Sequence, residues 1–214
     1  MIKKEFVTQS RIPFYKIVES YIKPNSKVLD IGAGSCSFSE HFKRKDFYQL
    51  DSNPKTLEKL KGIYPNYYLS KLPNIPFESN SFDLIHCSHV LEHLEPEDFY
   101  QTLIEIDRCL KSNGYLVVSL PLLSDFFYDD LSHVKPYNPA IFIKYLSPYK
   151  NNNLTREKIS SQYDVKKLTY RYKAYKIFSE NLFSPINWVA TGLFKLGVRN
   201  YKKTGFTLIL QKNG

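Results

Sequence analysis

The sequence predicts an α/β protein, a Rossmann-like doubly wound sheet with helices on both faces. Short apolar runs alternate along the first 121 residues with stretches of helical periodicity, which is the rhythm of a parallel sheet. The first apolar run, Val28-Leu29-Asp30-Ile31, leads into Gly32-Ala33-Gly34, and the second, Phe47 to Leu50, ends in Asp51. A glycine turn after one strand and an acid closing the next is the arrangement by which such sheets receive a nucleoside-bearing ligand.

The elements follow in order. Ile12 to Ile22 places Phe14, Val18, Tyr21 and Ile22 at helical spacing, and Lys23-Pro24-Asn25 stops it. Val28 to Ile31 is a buried strand, and Ser37 to Arg44 is the helix leaving the glycine turn. Phe47 to Leu50 is the second strand, and Pro54 opens a helix through Leu60. Tyr67 to Leu69 and Phe82 to Cys87 read as the third and fourth strands. Pro96-Glu97-Asp98 opens the clearest helix, with proline and acids in its first turn. Phe99, Leu103, Ile106 and Leu110 line one face, and Asn113-Gly114 is the expected stop. Tyr115 to Leu120 is a fifth strand. Beyond Pro121 the pattern loosens to a helix near Asn138 to Tyr145, a polar loop around Asn151-Asn152-Asn153, and strands within Val165 to Tyr172 and Phe206 to Leu210.

Composition bounds the class. A chain of 214 residues with 43% apolar residues and 17 tyrosines can bury a substantial core as one domain. No apolar stretch is long enough to cross a bilayer, and Met1 to Ser20 lacks the apolar segment of a secretory signal. The three cysteines, Cys36, Cys87 and Cys109, are widely spaced and odd in number. They fit reduced thiols in a cytoplasmic protein better than a disulfide framework or a zinc site. Net charge is +9, but Met1 to Ala140 carries 16 basic and 18 acidic residues, whereas Ile141 to Gly214 carries 14 and 3. The positive excess of the last third suits an anionic partner or a solvated lysine-rich surface.

Four segments share an order and spacing: VLDIGAG from Val28, the acid Asp51, IPFESNSFDLIHCSHVLEHL from Ile75, and LKSNGYLVVSLP from Leu110. Between Ser26 and Pro121 the chain resembles a class I S-adenosylmethionine-dependent methyltransferase of the small-molecule and glycan type. The resemblance implies a mainly parallel seven-stranded sheet and S-adenosylmethionine as cofactor. Asp30, Gly32, Ala33 and Gly34 would lie under its amino-acid end, and Asp51 would accept from both ribose hydroxyls. Ser52 and Asn53 would border the adenine, and Ser88 and His89 the methionine part and transferred methyl. Relatives of this type carry an acid before the LPF-like triplet, to bond the adenine amino group. Here the stretch is Ser70-Lys71-Leu72, so that contact comes from Ser70 or backbone or is absent, with Leu72 also counted among the cofactor-binding residues. Cys36 takes the place of a third glycine and would adjust helix packing.

Methyl transfer from a sulfonium requires the nucleophile, methyl and sulfur in line, and a hydroxyl acceptor gains from a positioned base. The segment from Asp129 to Tyr137 follows strand five and resembles the HVRxYT-like segment of methyltransferases related to quinone-biosynthesis O-methyltransferases. His133 is the first candidate base, since imidazole titrates near neutrality, and His89 is the second. His133 bridging loop and helix is the alternative role. Asp129, Asp130 and His133 offer too few and too local ligands for a metal, and none is assigned. Glu92-His93 reads as a cap on the neighbouring helix, Cys87 as a buried small residue, and Tyr115 as sheet packing. The [DN]PP[YFW] tetrapeptide of amino-methyltransferases and the Pro-Cys motif of cytosine C5 methylation are absent.

Leu182 to Val198, with Trp188 and the basic flanks Lys195, Arg199, Lys202 and Lys203, suits either a helix covering the sheet or an interfacial helix. Residues 122–205 form the expected substrate or surface region, with peripheral contact to the inner membrane surface through 182–203 and a lipid-linked or phosphorylated acceptor. Alternatives are a tRNA or rRNA methyltransferase using the basic third, or a non-catalytic protein that binds S-adenosylmethionine.

Overall fold

The computed structural model describes residues 2–148, 155–175, 185–198 and 200–214, so the expected polar loop at Asn151-Asn152-Asn153 lies outside the described residues, as do 182–184 and Arg199. Seven strands form one sheet in the order β3-β2-β1-β4-β5-β7-β6. They are β1 Val28–Ile31, β2 Tyr48–Asp51, β3 Tyr67–Leu69, β4 Phe82–Ser88, β5 Leu110–Pro121, β6 Tyr163–Tyr175 and β7 Asn200–Lys212. The first five pair in parallel, whereas β7 runs antiparallel between β5 and β6. The helices are α1 Ile12–Val18, α2 Ser37–Phe42, α3 Pro54–Leu60, α4 Pro96–Cys109, α5 Pro139–Leu146 and α6 Pro185–Lys195.

Side chains alternate across β1 and so divide the core. Val28 joins Tyr15, Val18, Phe38 and Phe47 on the α1–α2 face. Leu29 and Ile31 join Phe99, Leu103, Ile106 and Phe142 on the α4–α5 face. From β1 the chain steps outward to β2 and β3, then returns to lay β4 on the other side of β1. The reversal opens a crevice at the carboxyl ends of β1 and β4, where open α/β sheets hold ligands.

Several boundaries depart from the sequence reading. The first helix ends at Val18, passes into a 3-10 turn at Glu19–Tyr21 and becomes extended at Ile22. α2 stops at Phe42 because Lys43 adopts left-handed φ +53. Asn113-Gly114 does not end α4: that helix stops at Cys109, and β5 starts at once. Phe82 pairs Leu110 while Leu84 pairs Tyr115, so Asn113-Gly114, with Asn113 at φ +65, sits in a bulge of β5. β6 and β7 are longer than expected because they continue pairing from Tyr172↔Lys203 to Tyr175↔Asn200, past the last β5 pair, Pro121↔Gly205. The resulting two-stranded ribbon projects beyond the carboxyl end of β5. It leads to α6, on and beyond which Trp188 is 82% and Leu196 82% exposed. Those two side chains cover no sheet.

Candidate functional site

The loop after β1 is built for close approach. Gly32 has φ +68, and its amide donates to Leu50 O at 2.7 Å while Ala33 N donates to the same carbonyl at 3.2 Å. A Cβ on Gly32 would lie 2.1 Å from Val90 Cγ2, so the loop after β1 and the segment after β4 meet across a glycine. Gly34, at φ +51, turns its amide onto Asp51 Oδ2 at 2.9 Å, and Asn53 N donates to Asp51 Oδ1 at 2.9 Å. Each carboxylate oxygen thus accepts one amide and keeps a lone pair, and Asp51 lines the cleft. That pair of acceptors fits a vicinal diol such as a ribose.

The cleft, about 510 Å³, runs along the carboxyl ends of β1 to β4. Gly32, Asp51, Ser52, Ser70, Leu72 and His89, all expected at the site, line it. Val90, His93, Lys71 and Ser132 line it as well and were not expected. The Ser70 hydroxyl donates to Asn74 O at 2.8 Å and lies 3.0 Å from Asn74 Nδ2, so its side chain is already engaged.

Asp30 does not reach the cleft. It faces the α1–α2 side, 3% exposed, and its carboxylate meets Nδ1 of the buried His86 at 2.6 Å. Asp30 and His86 are register partners on β1 and β4, and the imidazole stacks on Phe38 at 3.9 Å. Ala33 packs with Cys36, Tyr64 and Tyr67, away from the cleft. Asn53 caps α3 by accepting from Lys55 N at 3.0 Å. Gly34 and Ser88 support the floor without lining it. Cys36 holds left-handed φ +60 in the third-glycine position, and burial pushes its thiol up to about 12. With Cys87 and Cys109 also buried, none of the three is a nucleophile at neutral pH.

A second edge of the cleft is made after β4. His89 holds φ +56, an uncommon conformation for a residue with a side chain. Its Nε2 lies 3.4 Å from Arg171 Nη1, which can only donate, so Nε2 accepts there. Burial lowers the pKa of His89, as does Arg171, while the Glu92 carboxylate 3.3 Å from Nδ1 opposes both. The 3-10 turn Leu91–His93 then carries Glu92 inward and His93 toward the cleft. Glu92-His93 does not cap α4, whose N-cap residue is Glu95.

The loop bearing His133 is stitched to this turn through backbone. Val134 N and Lys135 N donate to Glu92 O at 2.8 and 3.2 Å, and Tyr137 Oη donates to Leu94 O at 3.1 Å. His133 sits behind Ser132, its ring 4.9 Å from that of His93, with Nδ1 donating to Phe127 O at 2.6 Å. It therefore bridges its own loop and the turn. Asp129 and Asp130 are exposed, and Asp130 accepts from Ser132 N and Oγ.

Residues 29–118 match the family described as "Methyltransferase domain". An uncharacterized protein of Methanocaldococcus jannaschii is 33% identical over 96 residues, covering 45% of this chain and 41% of that protein. The probable pectin methyltransferase QUA2 of Arabidopsis thaliana is 32% identical over 120 residues, covering 52% and 17% respectively. The carboxy-S-adenosyl-L-methionine synthase of Vibrio campbellii is 28% identical over 132 residues, covering 55% and 51%. The matched segments thus span about half or less of these curated relatives. Among solved structures, a SAM-dependent methyltransferase from Archaeoglobus fulgidus superposes with a TM-score of 0.63 at 22% identity, covering 98% of this chain and 97% of that one. Residues 29–118 thus carry a methyltransferase-domain segment, on a β3-β2-β1-β4-β5-β7-β6 sheet whose fold is that of the Archaeoglobus fulgidus structure.

Proposed function

We propose that this chain transfers the methyl group of S-adenosylmethionine to a hydroxyl of a sugar, glycan or comparable metabolite. The observation that carries the reading is Asp51, whose amide-oriented carboxylate shares one cleft with an edge of imidazoles. Asp51 would hold the ribose diol, Ser52 and Leu72 would border the adenine, Gly32 would let the amino-acid end approach the loop, and Gly34 would keep Asp51 oriented. With Ser70 engaged by Asn74, the adenine contact expected of it falls to backbone.

The cofactor supplies an electrophilic methyl, and the protein's share is alignment and proton removal. The acceptor oxygen forms a bond to the methyl carbon as the carbon–sulfur bond breaks, and S-adenosylhomocysteine leaves. The hydroxyl proton must go to a base. His133 suits that role better than His89: its Nδ1 is held by Phe127 O, leaving Nε2 as acceptor, whereas Nε2 of His89 already meets Arg171. A glycan acceptor also agrees with the name of the Arabidopsis relative.

The ribbon and α6 support a lipid-linked or phosphorylated form of that acceptor. Trp188 and Val189 are exposed on the helix whose last turn carries Lys195, and Lys202 and Lys203 lie on β7. No helix among the described residues is long and apolar enough to cross a membrane, so the contact would be peripheral. Incubation with methyl-labelled cofactor and separated glycan, lipid, RNA and protein extracts tests the reading. Label in glycan or lipid-linked glycan is expected. Label in RNA would overturn the acceptor, and cofactor binding with no label anywhere would overturn catalysis.

A further inference from the structure

Glu92 is fully buried, and neither carboxylate oxygen receives a hydrogen bond. An ionised carboxylate in that condition is costly unless a cation meets it. His89 Nδ1 approaches Oε1 at 3.3 Å without the alignment of a hydrogen bond, and leaves the other oxygen unmet. Close by stand two histidines whose orientations are fixed alike. His93 Nδ1 donates to Ser132 O at 3.0 Å and His133 Nδ1 to Phe127 O at 2.6 Å. A carbonyl only accepts, so Nδ1 carries the hydrogen in both rings, and the neutral imidazole keeps its lone pair on Nε2, which in His133 lies 3.9 Å from Asp130 Oδ2. Ligand atoms of Glu92, His93 and His133 all lie within 4.8 Å of one another.

We propose that Glu92, His93 and His133 form a binding site for a divalent first-row transition ion at the acceptor edge of the cleft. Two imidazoles and a carboxylate suit manganese, iron, cobalt, nickel or zinc, whereas magnesium and calcium favour all-oxygen sites. Histidine ligands that donate their other ring nitrogen to a backbone carbonyl are the usual outer shell of such a centre. At metal–ligand distances of about 2.1 Å, adjacent donors sit roughly 3 Å apart, so side-chain rotations that close separations of up to 4.8 Å by nearly 2 Å complete the site. The scaffold that brings the ligands together is independent of them, because Val134 N and Lys135 N bind the backbone of Glu92.

Three protein ligands leave coordination positions open on the side where His93 lines the cleft. A hydroxyl or vicinal diol of the acceptor fits them, and the ion favours loss of the hydroxyl proton. This use of the ion rests on the methyl-transfer reading, and it changes His133 from base to ligand. The oxygen–methyl bond still forms as the carbon–sulfur bond breaks, and the proton passes to bulk water.

The test titrates Co²⁺ into the chelator-treated protein and follows its visible ligand-field bands, with S-adenosylmethionine binding measured separately by calorimetry. One equivalent should bind with nitrogen-ligand bands. Glu92→Gln, His93→Ala and His133→Ala should each raise the Co²⁺ Kd at least 100-fold, while His41→Ala, on α2, should leave it unchanged. Thermal melting of the wild-type protein, raised by Co²⁺ or Mn²⁺ and restored by chelator, keeps the proposal open to refutation should a variant fail to fold. Absence of stoichiometric bands and of any melting shift would overturn it, as would Co²⁺ affinity unchanged in Glu92→Gln. Metal binding without cofactor binding would sink the methyl-transfer reading and leave the ion site standing, and the converse would do the opposite.

Discussion

Replacing Gly32 with alanine would set a Cβ 2.1 Å from Val90 Cγ2 and 3.3 Å from Val90 Cβ, at a backbone φ of +68. Two separable costs follow. A residue with a side chain in the left-handed region costs about 1–2 kcal/mol, and forcing a methyl into occupied space adds about 1–3 kcal/mol. The clash is with a side chain, so Val90 can turn away, but it lines the cleft and would move into the space where a ligand lies. Gly32→Ala should therefore lower stability by about 2–5 kcal/mol and weaken S-adenosylmethionine binding. Urea denaturation read by circular dichroism measures the first effect, and calorimetry the second. The double variant with Val90→Ala isolates the steric share: Gly32→Ala should cost only the backbone share, about 1–2 kcal/mol, when Val90 is alanine. Strict additivity of the two substitutions would refute the argument that these segments meet across the glycine.

Asp51→Ala should weaken S-adenosylmethionine binding by about 100-fold, because two hydroxyl bonds to an ionised acceptor contribute about 1.5 kcal/mol each; unchanged calorimetric affinity would remove the ribose assignment. Asp30→Ala should behave in the opposite sense, costing about 3 kcal/mol of stability by stranding buried His86, while shifting cofactor affinity less than Asp51→Ala does. A larger loss of affinity from Asp30→Ala than from Asp51→Ala would contradict the placement of Asp30 away from the cleft. Asp83 offers a pH test. Burial raises its pKa, but hydrogen bonds from Lys111 Nζ and Lys27 N outweigh this and leave it lowered. A carboxyl lowered on folding contributes stability above its ordinary value near 3.8, lost as pH falls through the folded value. The gap in urea midpoint between wild type and Asp83→Asn should thus be present at pH 7 and shrink toward pH 3, and a gap that widens on acidification would reverse the sign of the argument.

How much of this was legible in the sequence depends on whether a residue acts through its own chain neighbours. The glycine turn and Asp51 are local signals, and they came together as expected, because strand ends in a parallel sheet fall on one edge. Asp30 shares the same motif, yet its side chain points to the opposite face, and its partner His86 is set by β1–β4 register, which no local pattern reveals. Asn113-Gly114 carries the signature of a helix stop but lies in a strand, since tertiary pairing of Leu110 with Phe82 overrides it. Glu92-His93 reads as a cap because it precedes a helix. Only the docked 127–137 loop brings His133 beside it and shows Glu92 buried without a donor. Asp129, Asp130 and His133 belong to one loop, whereas the three neighbouring ligand residues Glu92, His93 and His133 come from two segments.

The same division bears on specificity. The family match ends at residue 118, and nearly everything proposed to hold the cofactor lies before that point. The groups that would meet the acceptor come from both sides of it. His89 and His93 belong to the matched segment, whereas Ser132, His133 and Arg171 do not. Arg171, carried on β6, reaches His89 and stacks over Phe14 at 4.8 Å, so the ribbon that leads to α6 is joined to the cleft by a half-buried side chain. Its burial lowers the pKa of the guanidinium without discharging it, which makes Arg171 a fixed positive group 3.4 Å from an imidazole nitrogen. On the proposed reading, acceptor choice is tied to the segment beyond the family match, and its charge would favour an anionic or phosphorylated molecule. On the proposed reading, the cofactor and acceptor sides of the cleft would meet at the turn from His89 to His93, whose His89, Val90 and His93 line it.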